Sequence, residues 1–217
     1  MPTEWRGIAV KILAFGAHYD DVELGCGGAL LAWKAQGHSI SMFVATRSGY
    51  SDAKGNVIRS DATAREEGRC AAQLMGAELL EGELPTLELE FGESLNQKIL
   101  GVLDQIRPDT VLTHWPGDVQ HDHRALARAS IQCCRHIPRL ATYCSNWYEG
   151  EERFDPRFFV DISPFMDQKI QLIQVHASEN ARTAGRWVEY SRAQARVAGL
   201  KTGVENAEAF EVVRWLI

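Results

Sequence analysis

The sequence predicts a single α/β domain, a mainly parallel sheet covered by helices on both faces. Three observations carry this. Short apolar runs of strand composition alternate with segments of helical spacing along nearly the whole chain. The 217 residues are 45% hydrophobic, enough for one sizeable core and short for two domains. No internal repeat, low-complexity tract or linker breaks the alternation, so residues 1–217 read as one domain. Strand–helix–strand order implies right-handed crossovers between parallel neighbours, which buries both faces of the sheet.

The elements follow in order. Ala9 to Phe15 is a short apolar run and reads as the first strand. Val22 to Ala35 has helical spacing, with Gly37 as its stop. Ile40 to Ala45 is the second strand. Arg47 to Ser60 is polar and longer than an ordinary connection, so it is expected to be a loop and a candidate lid. Ala62 to Leu74 is a helix with a charged face, and Glu78 to Leu80 a short strand. Ser94 to Ile106 is a helix that stops before Arg107-Pro108. Thr110 to Thr113 is a strand and Arg124 to Arg135 a helix. Leu140 to Cys144 and Phe158 to Asp161 are later strands. Two further helices and a strand near Phe210 to Val213 complete the chain. The acidic stretch from Glu149 to Asp155 reads as a solvated loop.

Composition narrows the function. Charged residues make up 24% of the chain and the formal net charge is -6. Such a surface attracts neither bulk nucleic acid nor an anionic membrane. Five cysteines without a CxxC read as reduced thiols. The N-terminal MPTEWRGIAV lacks the pattern of a signal peptide, and no apolar run approaches the ~20 residues that span a bilayer. The expectation is a cytoplasmic protein with no membrane insertion and no nucleic-acid partner.

Two segments carry the chemistry. In an open α/β sheet, ligands bind beyond the carboxyl ends of the strands. The first strand runs into AHYDDVELGCGG, with His18, Asp20, Asp21 and Glu23 almost together. A later strand runs into HWPGDVQHDHRA, His114 to Ala125. His18 and Asp21 are three apart in a turn entering a helix, so both side chains can converge on one point. His121 or His123 would complete two imidazoles and one carboxylate, a set suited to catalytic zinc with an open position. Asp20 would then be a free carboxylate beside a metal that acidifies water. The plain alternative is that Asp20 or Asp21 caps the following helix. The three glycines of GCGG, Gly25 to Gly28, read as residues that let this helix pack closely on the sheet, since HYDD occupies the turn where a dinucleotide fingerprint needs them.

With these motifs in view, the chain resembles the LmbE-like, or PIG-L, family of zinc-dependent N-deacetylases. That family shows AHPDD-x-E followed by glycines, then R-x-E in a helix, then a segment ending in D-H-R. It often ends with His-Ser-Gln and A-E-A-F. Here Arg65 to Glu67, HASEN at His176 to Asn180, and NAEAF at Asn206 to Phe210 stand in the same order. The resemblance implies a Rossmann-like three-layer sandwich. It implies removal of an N-acyl group, usually acetyl, from a small-molecule amino sugar or its glycoside or nucleotide conjugate. By position, His18, Asp21 and His123 would bind Zn2+ or another divalent metal. Asp20 would be the general base and Asp122 would orient a neighbour. A homo-oligomer stays open.

Two departures stand out. Tyr19 replaces the family's proline, and its ring would contact substrate or pack on the surface. Gln120 replaces a histidine that helps stabilise the oxyanion, leaving three substitutes: Gln120 as a neutral donor, His121 turned inward, or His176 recruited. Arg65 would bind a substrate hydroxyl or phosphate, or tie its helix to acidic neighbours. Asp118 would orient a ligand histidine or form a turn. His38 and His136 read as surface residues. Two other functions fit the same ligands: a metal-dependent hydrolase of another bond such as a phosphoester, and a non-catalytic metal- or sugar-binding module. The presence of Asp20 favours catalysis.

Overall fold

The computed structural model describes residues 9–216; residues 1–8, most of the segment read above for a leader, and residue 217 lie outside the described residues. The chain opens with β1 (Lys11–Gly16), α1 (Asp21–Ala35) and β2 (Ser39–Thr46). A short hairpin of β3 (Tyr50–Ser51) and β4 (Val57–Arg59) leads to α2 (Asp61–Met75) and β5 (Glu78–Leu84). Then come α3 (Glu93–Ile106), β6 (Thr110–His114), α4 (His121–Cys133), β7 (Arg139–Tyr143) and β8 (Phe158–Asp161). Helices α5 (Met166–Val175), α6 (Ala177–Arg182) and α7 (Arg186–Thr202) precede the last strand, β9 (Ala207–Trp215).

The main sheet has the order β5-β2-β1-β6-β7-β9-β8. Its first five strands are parallel, and β9 runs antiparallel to both β7 and β8. Strand β1 shows why its run is apolar beyond Lys11. Leu13 and Phe15 enter one core with Leu95, Ile99 and Leu126 of α3 and α4. Ile12 and Ala14 enter the other with Val22 and Leu30 of α1 and Leu172 of α5. Alternate side chains go to opposite faces, and here both faces are covered. The chain grows outward from β1 to β2 and β5, then returns to β6 on the other side of β1. The strand order therefore reverses between β1 and β6, where such sheets bind ligands.

Helix α1 lies close on the sheet because its glycines leave room. A Cβ at Gly25 would fall 2.0 Å from Cδ2 of Tyr143, and one at Gly28 would fall 2.8 Å from Cδ1 of Ile162. Tyr143 is fully buried and its hydroxyl donates to the Phe15 carbonyl at 2.6 Å. The NAEAF segment serves the same helix: the Glu208 carboxylate accepts from the N–H of Gly28 (2.9 Å) and Ala29 (2.7 Å) and pairs with buried Lys169.

Three expectations need correction. The polar stretch from Arg47 to Ser60 is not plain loop but holds the β3–β4 hairpin, whose short strands are too few in residues to show a period. Helix α4 starts at His121, not Arg124, because Gln120 caps it: its side-chain oxygen accepts from the His123 N–H at 2.9 Å. Three α-helices, not two, and a 3-10 turn at Ser163–Phe165 separate β8 from β9. The stretch from Glu149 to Asp155 is an exposed loop, as expected, with Phe154 turned against Trp115.

Candidate active site

Both motif loops leave adjacent strands at the switch point. Beyond β1, the Ala17 N–H donates to Nε2 of His114 on β6 at 3.0 Å, locking the two strand ends together. The His18 N–H donates to the Asp21 carboxylate at 2.8 Å, closing the turn that starts α1. From the other side, the first turn of α4 delivers Asp122 and His123. Asp122 also suits a helix N-terminus electrostatically.

Three side chains converge. Nδ1 of His18 lies 3.3 Å from Nε2 of His123 and 3.3 Å from Oδ2 of Asp21. Nε2 of His123 lies 3.1 Å from Oδ1 of Asp21. Donors held at ~2.0–2.2 Å around a tetrahedral ion stand roughly 3.3–3.6 Å apart, so the set fits a small divalent metal with little adjustment. Two imidazoles and a carboxylate suit zinc and its first-row neighbours. His114, Asp118 and His123 form a second close set. In that set, however, Nε2 of His114 is taken by Ala17 and a carboxylate oxygen of Asp118 by His123.

Each of these two histidines is aimed by its remaining nitrogen. Nε2 of His18 is 2.9 Å from Oδ2 of Asp122, whose carboxylate also accepts from the N–H of Leu87 (2.7 Å) and Leu89 (3.0 Å). Nδ1 of His123 is 3.0 Å from Oδ2 of Asp118. Asp118 is fixed by Nδ2 of Asn146, at 2.8 and 3.0 Å from its two oxygens, and by the Gln120 N–H at 2.9 Å. The Ser145 hydroxyl donates to Oδ1 of Asp21 at 3.1 Å. Such carboxylate–histidine pairs fix tautomer and ring orientation at metal sites.

The electrostatics agree with the geometry. Burial opposes protonation of His18, but hydrogen bonds to Asp122 and Asp21 outweigh it and lift the imidazole to about 10. Burial likewise opposes charge on His123, and Asp21 with Asp118 raises it to about 9. Burial works against the Asp21 charge too, yet His123 and His114 hold its carboxyl well below the usual range. The excess of negative potential that holds protons on these rings is equally available to a divalent cation. His114 is different: burial, then the His123 charge, lowers it. It is a neutral ring stacked 3.9 Å from His123, with Nδ1 buried and unpartnered.

Asp20 stands apart from these three side chains. Its carboxyl is pushed up to about 7, by burial first and the Asp21 charge second, with Arg59 and His176 opposing. That places it near the value a general base needs at neutral pH. Its backbone has φ 127°, a conformation an L-residue holds only under constraint, at ~1–3 kcal/mol.

The other candidate residues occupy definite places. Tyr19 is not on the surface, a correction: it is buried in a cluster with Val44 and Ala64, and its hydroxyl donates to Glu81 at 2.9 Å. Arg65 spends its guanidinium on Glu81 (3.2 Å) and Glu83 of β5, tying α2 to the sheet. His121 is exposed at the first position of α4 and does not turn inward. His176 is buried, with Nε2 3.5 Å from Oε1 of Glu23, so that pair is internal. Gln120 uses Oε1 as the helix cap, which orients its NH2 away from that bond. His38 is buried, against expectation, whereas His136 is exposed. Sequence reading missed Ser145, Asn146, Ser48 and Arg59. The first two follow the end of β7 and answer to the same strand-end rule that located the ligands.

Comparison with known proteins agrees with this geometry. The profile of the PIG-L family, described as GlcNAc-PI de-N-acetylase, matches residues 13–134. An uncharacterized deacetylase of Escherichia coli (strain K12), YaiS, is 32% identical over 77% of this chain and 90% of its own length. Diacetylchitobiose deacetylase of Thermococcus kodakarensis is 24% identical over 94% of this chain and 83% of its own. The crystal structure of a conserved protein from Thermus thermophilus superposes with a TM-score of 0.80 at 27% identity, covering 96% of both chains. The matched segment holds all three converging side chains and Asp20, and the chain belongs to the PIG-L family of metal-dependent deacetylases.

Proposed function

We propose that the protein is a zinc-dependent N-deacetylase that removes an acetyl group from an amino sugar carried in a conjugate. The convergence of Nδ1 of His18, the Asp21 carboxylate and Nε2 of His123 within 3.1–3.3 Å supports this reading most directly. The amino-sugar substrate is supported by similarity to a diacetylchitobiose deacetylase and by the family's description.

His18, Asp21 and His123 would hold the ion. When bound, it would supply a Lewis acid and water acidified towards neutrality. Asp20 accepts the proton of the attacking water and returns it to the departing amine; a carboxyl raised to about 7 can do both near neutral pH. Asp122 and Asp118 keep His18 and His123 in one tautomer and orientation. Gln120 takes the place of the family's histidine as a neutral donor. Its Oε1 is engaged by the His123 N–H, so its NH2 is the end left to reach the acyl oxygen. Among the described residues no helix is long and apolar enough to cross a membrane, compatible with a small-molecule substrate met in water.

The test is proton NMR detection of released carboxylate. The zinc-loaded protein meets N-acetyl and N-formyl amino sugars, free, as glycosides and as nucleotide sugars, with and without chelator. Chelator-sensitive acetate is the expected outcome. No release from any compound by fully metallated protein would refute the proposal.

A further inference from the structure

A second buried cluster adjoins Asp20, and the metal centre uses none of it. Its hub is Arg59, the last residue of β4, only 3% exposed. Its Nη1 donates to the Tyr19 carbonyl at 3.0 Å and lies 3.8 Å from Oδ2 of Asp20. Its Nη2 donates to Oε2 of Glu67 at 2.7 Å and lies 3.3 Å from Nδ1 of His176. Glu67 is held in turn by the backbone N–H and the hydroxyl of Ser178, each at 2.7 Å. Glu67 of the R-x-E stretch and His176 and Ser178 of HASEN thus meet around one guanidinium. Burying this charge is costly and adds little stability over an apolar filling of the same space. Its Nε is left without a partner. A stability role alone explains such a group poorly.

The carbonyl that Arg59 grips belongs to the peptide bond leading into Asp20, the residue with φ 127°. The preceding peptide N–H, that of Tyr19, donates to the Ser48 hydroxyl at 2.9 Å, and Ser48 itself has φ 63°. Residue 19 is therefore held at both ends, by Ser48 at its N–H and by Arg59 at its carbonyl. Without the second grip, the strained φ of Asp20 can relax towards ordinary values.

We propose that Arg59 is the positioning residue of the site: it holds the constrained backbone at Tyr19–Asp20 and so aims the Asp20 carboxylate at the space beside His18, Asp21 and His123. This rests on the reading of Asp20 as the base. A displacement of about 1 Å in a reacting group costs on the order of a hundredfold in rate.

Arg59→Ala is expected to keep its metal and a KM within about twofold, while kcat falls roughly a hundredfold. Arg59→Lys, which keeps one donor, falls between. The decisive arm is the background lacking the base. Adding Arg59→Ala to Asp20→Asn should cost nothing further, because residues acting through one group do not add. An equal further loss there would overturn the proposal, as would wild-type kcat in Arg59→Ala. If Arg59→Ala does not fold, Glu67→Ala removes the acceptor of Nη2 and carries the same comparison. A crystal structure of the variant provides a readout independent of turnover. Asp20 with relaxed φ and a moved carboxylate supports the proposal, and Asp20 unchanged near φ 127° refutes it. Absence of turnover in the wild type would instead count against the deacetylase reading and leave the structural arm to decide this one.

Discussion

Asp118 offers the sharpest test of how the site is supported. Its carboxylate is 1% exposed and lies 3.0 Å from Nδ1 of His123. Substitution Asp118→Ala leaves that N–H buried without an acceptor and the ring free to turn. Partners of this kind are worth about 10–100-fold in metal affinity, or about 1.4–2.8 kcal/mol. A second effect has the opposite sign. His123 is raised to about 9, against the pull of burial, by Asp21 and then Asp118. Losing Asp118 lets the ring shed its proton more readily, which at neutral pH favours metal. The measurement is therefore a zinc competition titration against a chromophoric chelator, at a pH where the imidazole is neutral in both proteins. The control is Asn146→Ala, which removes the donor 2.8 and 3.0 Å from the Asp118 oxygens without touching His123. It should cost about 1 kcal/mol of stability and leave metal affinity within a few-fold of wild type. A folded Asp118→Ala protein with wild-type affinity would show that the ring is aimed by packing alone.

Four further outcomes are expected. Asp20→Asn should retain metal and lose most turnover, since the amide cannot take a proton; wild-type rates would remove it as the base. His123→Ala should lose stoichiometric metal by elemental analysis, and full occupancy would exclude it as a required ligand. Tyr19→Phe should leave KM unchanged and cost about 1 kcal/mol in urea unfolding, the value of one hydrogen bond to Glu81; a raised KM would return the ring to the substrate. Gly25→Ala places a methyl 2.0 Å from the Tyr143 ring and should cost about 1–3 kcal/mol in the same assay, a result that an unchanged midpoint would contradict.

The candidate ligand residues were legible because they sit at strand ends, where an apolar run stops abruptly at polar residues. The parallel sheet was legible for the same reason: β1 and β2 are largely apolar runs of the length a covered strand needs. The supports were not. Asp118 to Asn146, Ser145 to Asp21 and Arg59 to Tyr19 span 28, 124 and 40 positions. Each uses a residue type common in any loop. Tyr19 was misplaced because nothing local shows that Gly68, far along the chain, leaves a recess for its ring: a Cβ there would lie 2.0 Å from Cδ1 of Tyr19. His176 and Glu23 have meaning only as a pair, and one chain alone does not pair them.

The distances at the centre place a demand on the whole sheet. The two imidazoles and the two oxygens of Asp21 meet at 3.1–3.3 Å, and one residue of strand advances the chain by about 3.3 Å. A slip of one residue between β1 and β6 would thus move the second motif by a full donor separation, and would turn every β6 side chain to the opposite face. His114 would lose the Ala17 N–H and its stack on His123. What prevents the slip is not the metal site but the buried pattern on both faces. Leu13 pairs with Val111 and Ala14 with Leu112, each in its own core. The Tyr143 hydroxyl reaches across β6 to the Phe15 carbonyl and pins the carboxyl end of β1 to β7. The glycine at position 25 makes room for that tyrosine, so a motif that resembles a nucleotide loop acts here on register. The spacing of the candidate ligands and the sheet register are then coupled through Tyr143. Gly25→Ala should weaken zinc binding although it touches no ligand.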